Sequence, residues 1–356
     1  MTTRNPAPRA VAARCCAPVL HPSRASVRGL ALASVIANAV LVCTGAAVRL
    51  SSSGLGCPDW PRCTQASVVA AHSAGQTSLN TAIEFGNRLL TFPLAVIAAL
   101  TFIACLRYQQ GGRRRRDLVL LSAALPGGVI AQAVAGGIVV LTRLNPVMVA
   151  SHFLLSSAIL AAAVVLHARA AEGPGPAQPL VRADLRVLAG LLAAVTGLML
   201  AAGTVVTGSG PLAGTVIDAH GRRTTVPRFH FPLQDVTQLH ADIGWFIGAL
   251  AVALAIGLHL TGAPARAVRA SRVVLAGLAV QGTVGYAQYL SHLPAGLVWV
   301  HVSVSAVLWV LVLRLYLSTR ERPPLPATAV TRAGPAPAAR NPQAPGVTLG
   351  AEEGVR

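Results

Sequence analysis

Eight apolar runs constrain the fold of this chain more than any other feature of its sequence. A helix needs about 20 apolar residues to cross the hydrocarbon core of a bilayer, so each run is long enough to span once. The charged fraction is only 11%, whereas soluble domains carry roughly 25% charged residues. The predicted fold class is therefore an all-α integral membrane protein whose surroundings are the lipid bilayer. Its eight transmembrane helices lie near residues 29–48, 82–106, 118–141, 147–168, 186–207, 236–260, 272–290 and 295–317.

The positions of the arginines predict the orientation of these helices. All 29 basic residues are Arg, and cytoplasmic loops of membrane proteins carry an excess of basic residues. Arginines concentrate in the N-terminal tail, at 113–116 after the second run, and after the fourth and sixth runs (Arg182, Arg266, Arg269). These segments lie on one side, so both termini are predicted to be cytoplasmic in a multi-pass protein of the plasma membrane.

The net charge of +18 is also compatible with binding to nucleic acid. Charge that flanks membrane spans explains the same composition, so no nucleic acid is predicted as a partner. The first run stands where a signal peptide would, but no obvious cleavage site follows it. It is therefore interpreted as a retained helix.

A repeated spacing divides the eight runs into two related halves of four. Gln132 is followed four residues later by Gly136 and 20 residues later by His152, and the same spacing recurs at Gln281, Gly285 and His301. Each stretch runs from one apolar helix through a Pro-bearing turn into the next. Both halves start on the same side, which predicts two pseudo-symmetric four-helix bundles related by an axis along the membrane normal.

The predicted domains follow from this division. A first four-helix half (29–170) and a second half (186–317) are joined by a cytoplasmic linker (171–185). The tails at 1–28 and 318–356 are rich in Ala, Pro and Arg and poor in large apolar residues. Such a composition cannot bury enough apolar surface to fold, so both tails are predicted to be disordered and cytoplasmic.

Three of the ten histidines lie one to two turns into predicted helices, counted from the outer surface: His152, His240 and His301. A polar side chain in the bilayer is costly and usually faces a bundle interior with a partner. A hydrogen bond between helices would explain any one of them, whereas three at one depth favour metal ligation. Imidazole suits iron, copper and zinc, and paired axial ligands on facing helices suit a haem. His240 and His301 are the predicted axial ligands of one resident haem.

The first half carries one imidazole where the second half carries two. His152 corresponds to His301, and alignment of the helix starts places Asn87 at the position of His240. Asn is a poor iron ligand. One half would then hold a fixed cofactor, and the other would hold an exchangeable group at His152.

Glu84 is the only acidic residue well inside the second run. An ion pair with Arg88, four residues later on the same helical face, is one explanation. The other is a catalytic acid or base in a desolvated site. The catalytic role is favoured because Glu84 lies one turn from the position that faces His152.

Two cysteines, Cys57 and Cys63, lie in the predicted outer loop after the first run, on the side where disulfides persist. A bridge across so short a loop would stabilise the fold by roughly 2 kcal/mol. A loop staple and a redox-active site both remain open. The other cysteines are interpreted as free thiols: Cys15, Cys16, Cys43 and Cys105.

Several motifs together resemble the haem A synthase family. They are GAAVRL (45–50), SGLGCPDWP (53–61) with Cys63, IEFGNR (83–88), NP (145–146) with His152, TGSGP (207–211), QLHAD (238–242) and LP (293–294) with His301. The resemblance covers roughly residues 29–317. The run at 83–88 looks like the form of actinobacterial members.

The resemblance implies an activity, cofactors and partners. Members of the family oxidise one ring methyl of haem O to a formyl group, which gives haem A for terminal oxidases. By resemblance, His240 and His301 ligate the iron of a resident haem b, and His152 and Glu84 lie beside the substrate haem. Cys57 and Cys63 look like the family's outer disulfide. The implied partners are haem O, haem O synthase as a candidate, and an electron donor that the sequence does not identify; a homo-oligomer is left open.

The chemistry of a haem agrees with these positions. Its ring is apolar, and its two propionates could pair bidentately with arginines at the outer face: Arg88, Arg143, Arg222, Arg223 and Arg228. A fixed carboxylate such as Glu84 could stabilise positive character that develops beside the ring, or accept the proton.

This sequence departs from the family at the second ligand of the substrate haem. Many members carry His where Asn87 stands, and the actinobacterial form often has His at the position of Asn80. His72, in the adjoining loop, is a further candidate. The alternative function is therefore a haem b-binding electron-transfer protein or a non-catalytic paralogue. In a third hypothesis, a transporter or structural bundle, the histidines only join helices.

Overall fold

The computed structural model describes residues 19–70, 77–217 and 223–324. Within them, the helices are long and apolar enough to form eight membrane spans, as predicted. Leu90 alone separates α2 from α3, so these two helices form one span. The helices are α1 (Arg24–Leu50), α2 (Ser78–Leu89), α3 (Thr91–Arg107), α4 (Arg116–Leu141), α5 (Pro146–Ala170), α6 (Ala183–Ser209), α7 (Leu233–Leu260), α8 (Ala265–Leu290) and α9 (Ala295–Ser318).

Among the described residues, three antiparallel pairs of short strands lie in the connections between helices and in the segment that follows α9. A single 3-10 turn, Pro211–Ala213, follows α6. The pairs are β1 (Gln109–Gln110) with β2 (Arg113–Arg114), β3 (Gln178–Pro179) with β6 (Arg320–Glu321), and β4 (Thr215–Ile217) with β5 (Arg223–Thr225).

The predicted boundaries of both tails are wrong by several residues. α1 begins at Arg24, because Ser23 caps it by accepting a hydrogen bond from Ser26 N (3.1 Å), so the end of the tail predicted over 1–28 is helical. At the other end, β6 pairs with β3 in the predicted linker, which orders the first part of the segment 318–356. Residues 1–18 and 325–356 lie outside the described residues.

Two span boundaries also differ from the apolar pattern, each for a local reason. The second span is interrupted at Leu90 because Pro93 lacks the N–H that would donate to the carbonyl of Leu89. α8 begins at Ala265 rather than near residue 272. Arginine is a good helix former, so this helix begins several residues before its apolar run.

Each half packs its helices in the same order. In the first half, α1 packs against α3 and α5, and α4 lies between them; in the second half, α6 packs against α7 and α9, and α8 lies between them. The halves meet along α1, α5, α6 and α9. Two indoles of α9 cross this interface: Trp299 Nε1 donates to Cys43 O (2.9 Å), and Trp309 Nε1 donates to Ser157 O (3.0 Å).

The turns that lead into α5 and α9 repeat one backbone conformation. Arg143 and Leu144 have φ of 55° and 62°, and His292 and Leu293 both have φ of 61°. Residues other than Gly are uncommon in this left-handed region. Its occurrence at two consecutive residues in both halves shows that the duplication extends to backbone geometry.

These turns set the depth of two of the histidines. Leu144 N donates to Val139 O (2.9 Å), and the equivalent bond runs from Leu293 N to Gln288 O (2.7 Å). The following helices begin at Pro146 and Ala295. His152 and His301 are consequently each the seventh residue of their helix.

Candidate functional site

A large cavity lies between the helices of both halves, at the end of the bundle that carries Cys57 and Cys63, called here the disulfide end. Its volume is about 2510 Å³, whereas pockets for drug-sized ligands are about 300–1,000 Å³. The cavity is therefore large enough for one bulky ligand in each half. Its wall is largely apolar, and the polar side chains in it include Glu84, Asn87, Gln132, His152, His240, Gln281 and His301.

His240 on α7 and His301 on α9 lie together in the second-half part of the cavity. Their ring centroids are 6.3 Å apart, and the ring planes are inclined by 57°. An imidazole nitrogen binds a metal at about 2.0 Å and lies about 1 Å from its ring centroid, so two rings on opposite sides of one metal have centroids roughly 6 Å apart. The observed separation fits a shared metal ion.

The surroundings of this pair fit a metal whose other ligands belong to a cofactor and not to the protein. Within the described part of the chain, no group of three or more His, Cys, Asp or Glu side chains could hold a metal ion. A bare ion would therefore be held by the two imidazoles alone. A haem iron needs only axial ligands from the protein, and the large apolar cavity suits its ring.

The three intramembrane imidazoles make few hydrogen bonds. Nδ1 of His152, His240 and His301 is buried without a hydrogen-bond partner among the described residues. Among the described residues, these three rings make one hydrogen bond to another side chain, between His301 Nε2 and Gln281 Nε2 (3.1 Å). An unsatisfied buried polar atom costs about 1–3 kcal/mol. For His152 and His240, this pattern disfavours the hypothesis that the ring serves to join helices; the ring of His301 does bond to the neighbouring helix through Gln281.

Gln132 and Gln281 fix the position, along the helix axis, of the helices that carry His152 and His301. Gln132 Nε2 donates to His152 O (3.2 Å), and Gln281 Nε2 donates to His301 O (3.1 Å). The Gln and the His that lie 20 residues apart in the sequence are thus joined by a hydrogen bond between neighbouring helices. The bond is formed in the same way in both halves.

Each imidazole also rests its Cε1 edge on a glycine of the neighbouring helix. Contacts shorter than 3.4 Å are tighter than most real Cβ contacts, so a larger residue at any of these glycines would press on the ring. The distances from a Cβ built on the glycine to Cε1 of the ring are 3.3 Å for Gly136 and His152, 3.3 Å for Gly203 and His240, and 3.1 Å for Gly285 and His301.

Asn87, the predicted counterpart of His240, would occupy the fourth equivalent position. Alignment of the segment GAAVRLS (45–51) with GTVVTGS (203–209) makes Gly45 the counterpart of Gly203. A Cβ built on Gly45 would meet nothing within 4 Å. Asn87 lines the cavity, and its Oδ1 is buried without a partner among the described residues. The short amide side chain leaves free the glycine surface that an imidazole covers in the other three cases.

Glu84 is part of the first-half wall of the cavity and is 5% exposed. Its Oε2 accepts a hydrogen bond from Cys57 N (2.7 Å), and its Oε1 accepts one from Arg88 Nη2 (2.6 Å). The ion pair with Arg88, the alternative explanation to catalysis, is therefore formed. The carboxylate is nevertheless at the cavity, and its catalytic role stays a prediction.

Arg88 binds the loop that carries the disulfide. Its guanidinium donates to Glu84 through Nε and Nη2, and to the carbonyls of Cys57 (2.9 Å), Asp59 (3.0 Å) and Arg62 (3.2 Å). All five N–H donors of an arginine are used in this way. Arg88 is therefore a poor partner for a ligand carboxylate, contrary to the expectation from sequence.

The disulfide loop covers the first-half part of the cavity. Cys57 and Cys63 form the disulfide, and both side chains are buried. Trp60, between them, packs on α4 so closely that a Cβ built on Gly137 would lie 2.5 Å from its ring. A structural staple explains these contacts.

Arg49 is a cavity residue that was not among the predicted site residues. It lies at the end of α1, one turn beyond Gly45. Its Nη2 donates to Thr207 O of the second half (3.1 Å), and its Nε is buried without a partner among the described residues. The signal for Arg49 in the sequence was its position as a charged residue within an apolar run, because such residues usually have a functional partner.

Two of the sequence-based candidates, His72 and Arg222, lie outside the described residues. Asn80 lies in α2, where its backbone N donates to the capping Thr77 Oγ1 (3.2 Å). Its carbonyl oxygen would lie 2.4 Å from a Cβ on Gly56, which places the disulfide loop directly against this turn of the helix.

Comparison with known proteins gives a family match and several partial relatives. Residues 28–313 match the model of the COX15-CtaA family, described as cytochrome oxidase assembly protein. Heme A synthase of Lysinibacillus sphaericus (strain C3-41) is 31% identical over 127 residues, which cover 35% of this chain and 39% of the relative. Heme A synthase of Bacillus mycoides (strain KBAB4) is 28% identical over 141 residues, which cover 39% of this chain and 43% of the relative. The chain thus spans about two-fifths of the length of these curated relatives.

Proposed function

The chain belongs to the COX15-CtaA family of cytochrome oxidase assembly proteins, and on that premise we propose that it is an oxidoreductase of the haem A synthase type. It oxidises one ring methyl of haem O to a formyl group and so supplies haem A for assembly of a terminal oxidase. The similar part of the Bacillus and Lysinibacillus relatives supports this assignment.

The single observation that carries the proposal is the pair of imidazoles in the second half. His240 and His301, at 6.3 Å between ring centroids, hold the iron of a resident haem b between them. Haem b, when bound, supplies one-electron redox chemistry. The glycines beneath the two rings and the Gln281 hydrogen bond keep this geometry in place before the cofactor binds.

The substrate haem O binds in the first-half part of the cavity. His152 is its metal ligand, and the apolar wall takes the ring. Arg49, with a buried Nε that has no partner among the described residues, pairs with a propionate. Such charge-assisted pairs are stronger and more directional than neutral hydrogen bonds, so Arg49 orients the ring within its half.

The reaction balances as two hydroxylations with dioxygen as the oxidant. In the first, one C–H bond of the methyl becomes C–OH, while the second oxygen atom leaves as water with two electrons and two protons from a donor. The second hydroxylation repeats this and gives a hydrated aldehyde, which loses water to form the formyl group. The electron donor is a separate partner.

Glu84 acts as a fixed negative charge beside the substrate. Both of its oxygens already accept hydrogen bonds, from Cys57 N and from Arg88, so it is better suited to charge stabilisation than to proton transfer. A preorganised charge in a water-poor site stabilises opposite charge that develops during the reaction. Oxidation of the ring methyl develops such charge at the neighbouring carbon.

The test is to express the chain with haem O synthase in a host that makes no haem A, and to separate the extracted haems by chromatography. We expect the formyl product and its hydroxymethyl precursor, and neither in a His152→Ala variant that keeps the resident haem. If the wild-type protein gives neither compound, the enzyme proposal is rejected. If the purified protein has no Soret absorbance, no haem function remains.

The alternative is an electron-transfer protein or non-catalytic paralogue that binds haem b in the second half. Asn87 is the observation that favours it, because the first half lacks a second imidazole among its described cavity residues. A normal resident-haem spectrum without either product in the same assay would support this alternative.

A further inference from the structure

We propose that the first half binds its haem through His152 alone and leaves the opposite axial position of the iron open, next to Asn87. This inference rests on the proposed function, since it specifies how the substrate of that reaction is held. It also distinguishes the two halves: one holds a six-coordinate cofactor, and the other holds a five-coordinate substrate.

The four glycines described above carry the argument. A Cβ built on three of them would lie 3.1–3.3 Å from an imidazole Cε1, whereas a Cβ built on Gly45 would meet nothing within 4 Å. The side chain opposite His152 in the duplicated arrangement is Asn87, whose Oδ1 is buried without a partner among the described residues. The scaffold for a fourth ring is present, and the ring itself is replaced by a short amide.

Other candidate ligands are missing from this part of the wall. The described residues of α1 to α5 that line the cavity include no Cys, Met or Tyr, and His152 is their only histidine. Two further polar side chains among them already have partners: Glu84 pairs with Arg88 and Cys57, and Gln132 bonds to His152 O and Ser156 Oγ.

Single ligation suits a haem that enters and leaves. Each imidazole–iron bond adds to the affinity, so one axial ligand holds a haem less tightly than two. An open axial position also gives a small diatomic ligand access to the iron. Asn87, with an amide that can donate or accept, lies where it can bond to a ligand at that position.

Carbon monoxide is the direct probe, because it binds ferrous haem at an open axial position and reacts poorly when two imidazoles occupy both positions. The experiment uses the full chain, loaded with both haems by co-expression with haem O synthase and reduced under argon. We expect carbon monoxide to shift the Soret band of the haem O population and to leave the haem b population unchanged. Failure of both haems to react would overturn the inference.

Asn87→His should fill the open position, because the new ring can rest on Gly45 as the ring of His240 rests on Gly203. We expect the carbon monoxide-reactive population to be lost and a second low-spin bis-imidazole signal to appear in electron paramagnetic resonance. Asn87→Ala is the matched control, and it should stay reactive. An Asn87→His protein that binds both haems and still reacts fully would contradict the inference.

A ligand swap provides a second, independent measurement. His152→Ala alone should remove the reactive haem from the first half, and Asn87→His with His152→Ala should restore it, since one imidazole is again present. Haem O retained in His152→Ala would mean that another residue is the ligand, and His72→Ala would then identify or exclude His72. A reactive first-half haem without formyl product would leave this inference intact and reject the proposed function.

Discussion

At the residue scale, the geometry of His240 and His301 predicts the outcome of removing one ring. His301→Ala leaves the resident iron with one protein ligand, so we expect loss of the low-spin bis-imidazole spectrum and a lower haem b content. His259→Ala is the control: this exposed histidine lies near the other end of α7, and its removal should leave the spectrum unchanged. A normal bis-imidazole signal in His301→Ala would refute the assignment.

Glu84 and Arg88 form one ion pair, but the structure predicts different consequences of neutralising each partner. Glu84→Gln keeps an acceptor for Cys57 N and removes the charge, so we expect the resident haem to persist and product formation to stop. Arg88→Gln removes three bonds to loop carbonyls and should lower protein yield while each loaded molecule still turns over. Equal residual turnover per bound haem in the two variants would reduce Glu84 to a structural residue.

At the scale of the element, packing of a ring against a glycine on the next helix predicts a spectroscopic effect of a single methyl group. Gly285→Ala places a Cβ 3.1 Å from His301 Cε1, whereas Gly282→Ala, one turn away on α8, meets nothing within 4 Å. We expect Gly285→Ala to shift the low-spin g values of the resident haem, because the ring must move. Gly282→Ala should keep the wild-type spectrum. Identical spectra for the two variants would show that the glycine does not set the ring position.

The sequence predicts the elements well because apolar run length and bilayer thickness are directly linked. It fails where a helix begins before its apolar run, as α8 does at Ala265. It also fails where a missing N–H interrupts a span, as the missing N–H of Pro93 does near Leu90. The duplicated Gln–Gly–His spacing predicts the depth of His152 and His301. It does not reveal that Arg88 is fully occupied by the disulfide loop, because those partners are backbone carbonyls brought close only by folding.

At the scale of the whole molecule, the two halves share one scaffold and differ at a few side chains. Helix order, the left-handed turn residues, the Gln–His bonds and the glycine contacts recur in both. The differences lie at Asn87 against His240, and at Arg49, which donates to the carbonyl of Thr207, its own counterpart in the other half. Under the proposed function, a duplicated bundle would hold a fixed cofactor and an exchangeable substrate with the same fold, because the number of ligands, and not the helix arrangement, would set how firmly each haem is held.

The predicted orientation of this bundle, with the disulfide end outside the cell, can be tested at two matched positions. Thr261 and Ser291 are exposed residues that follow the C-termini of α7 and α8, so they lie at opposite ends of one helical hairpin. In a background in which Cys15 and Cys16 are replaced by Ser, Ser291→Cys should react with a membrane-impermeant maleimide in intact cells. Thr261→Cys should react only after lysis, since the arginine-rich loops are retained in the cytoplasm. The opposite labelling pattern would invert the topology and place the proposed haem sites near the cytoplasmic surface.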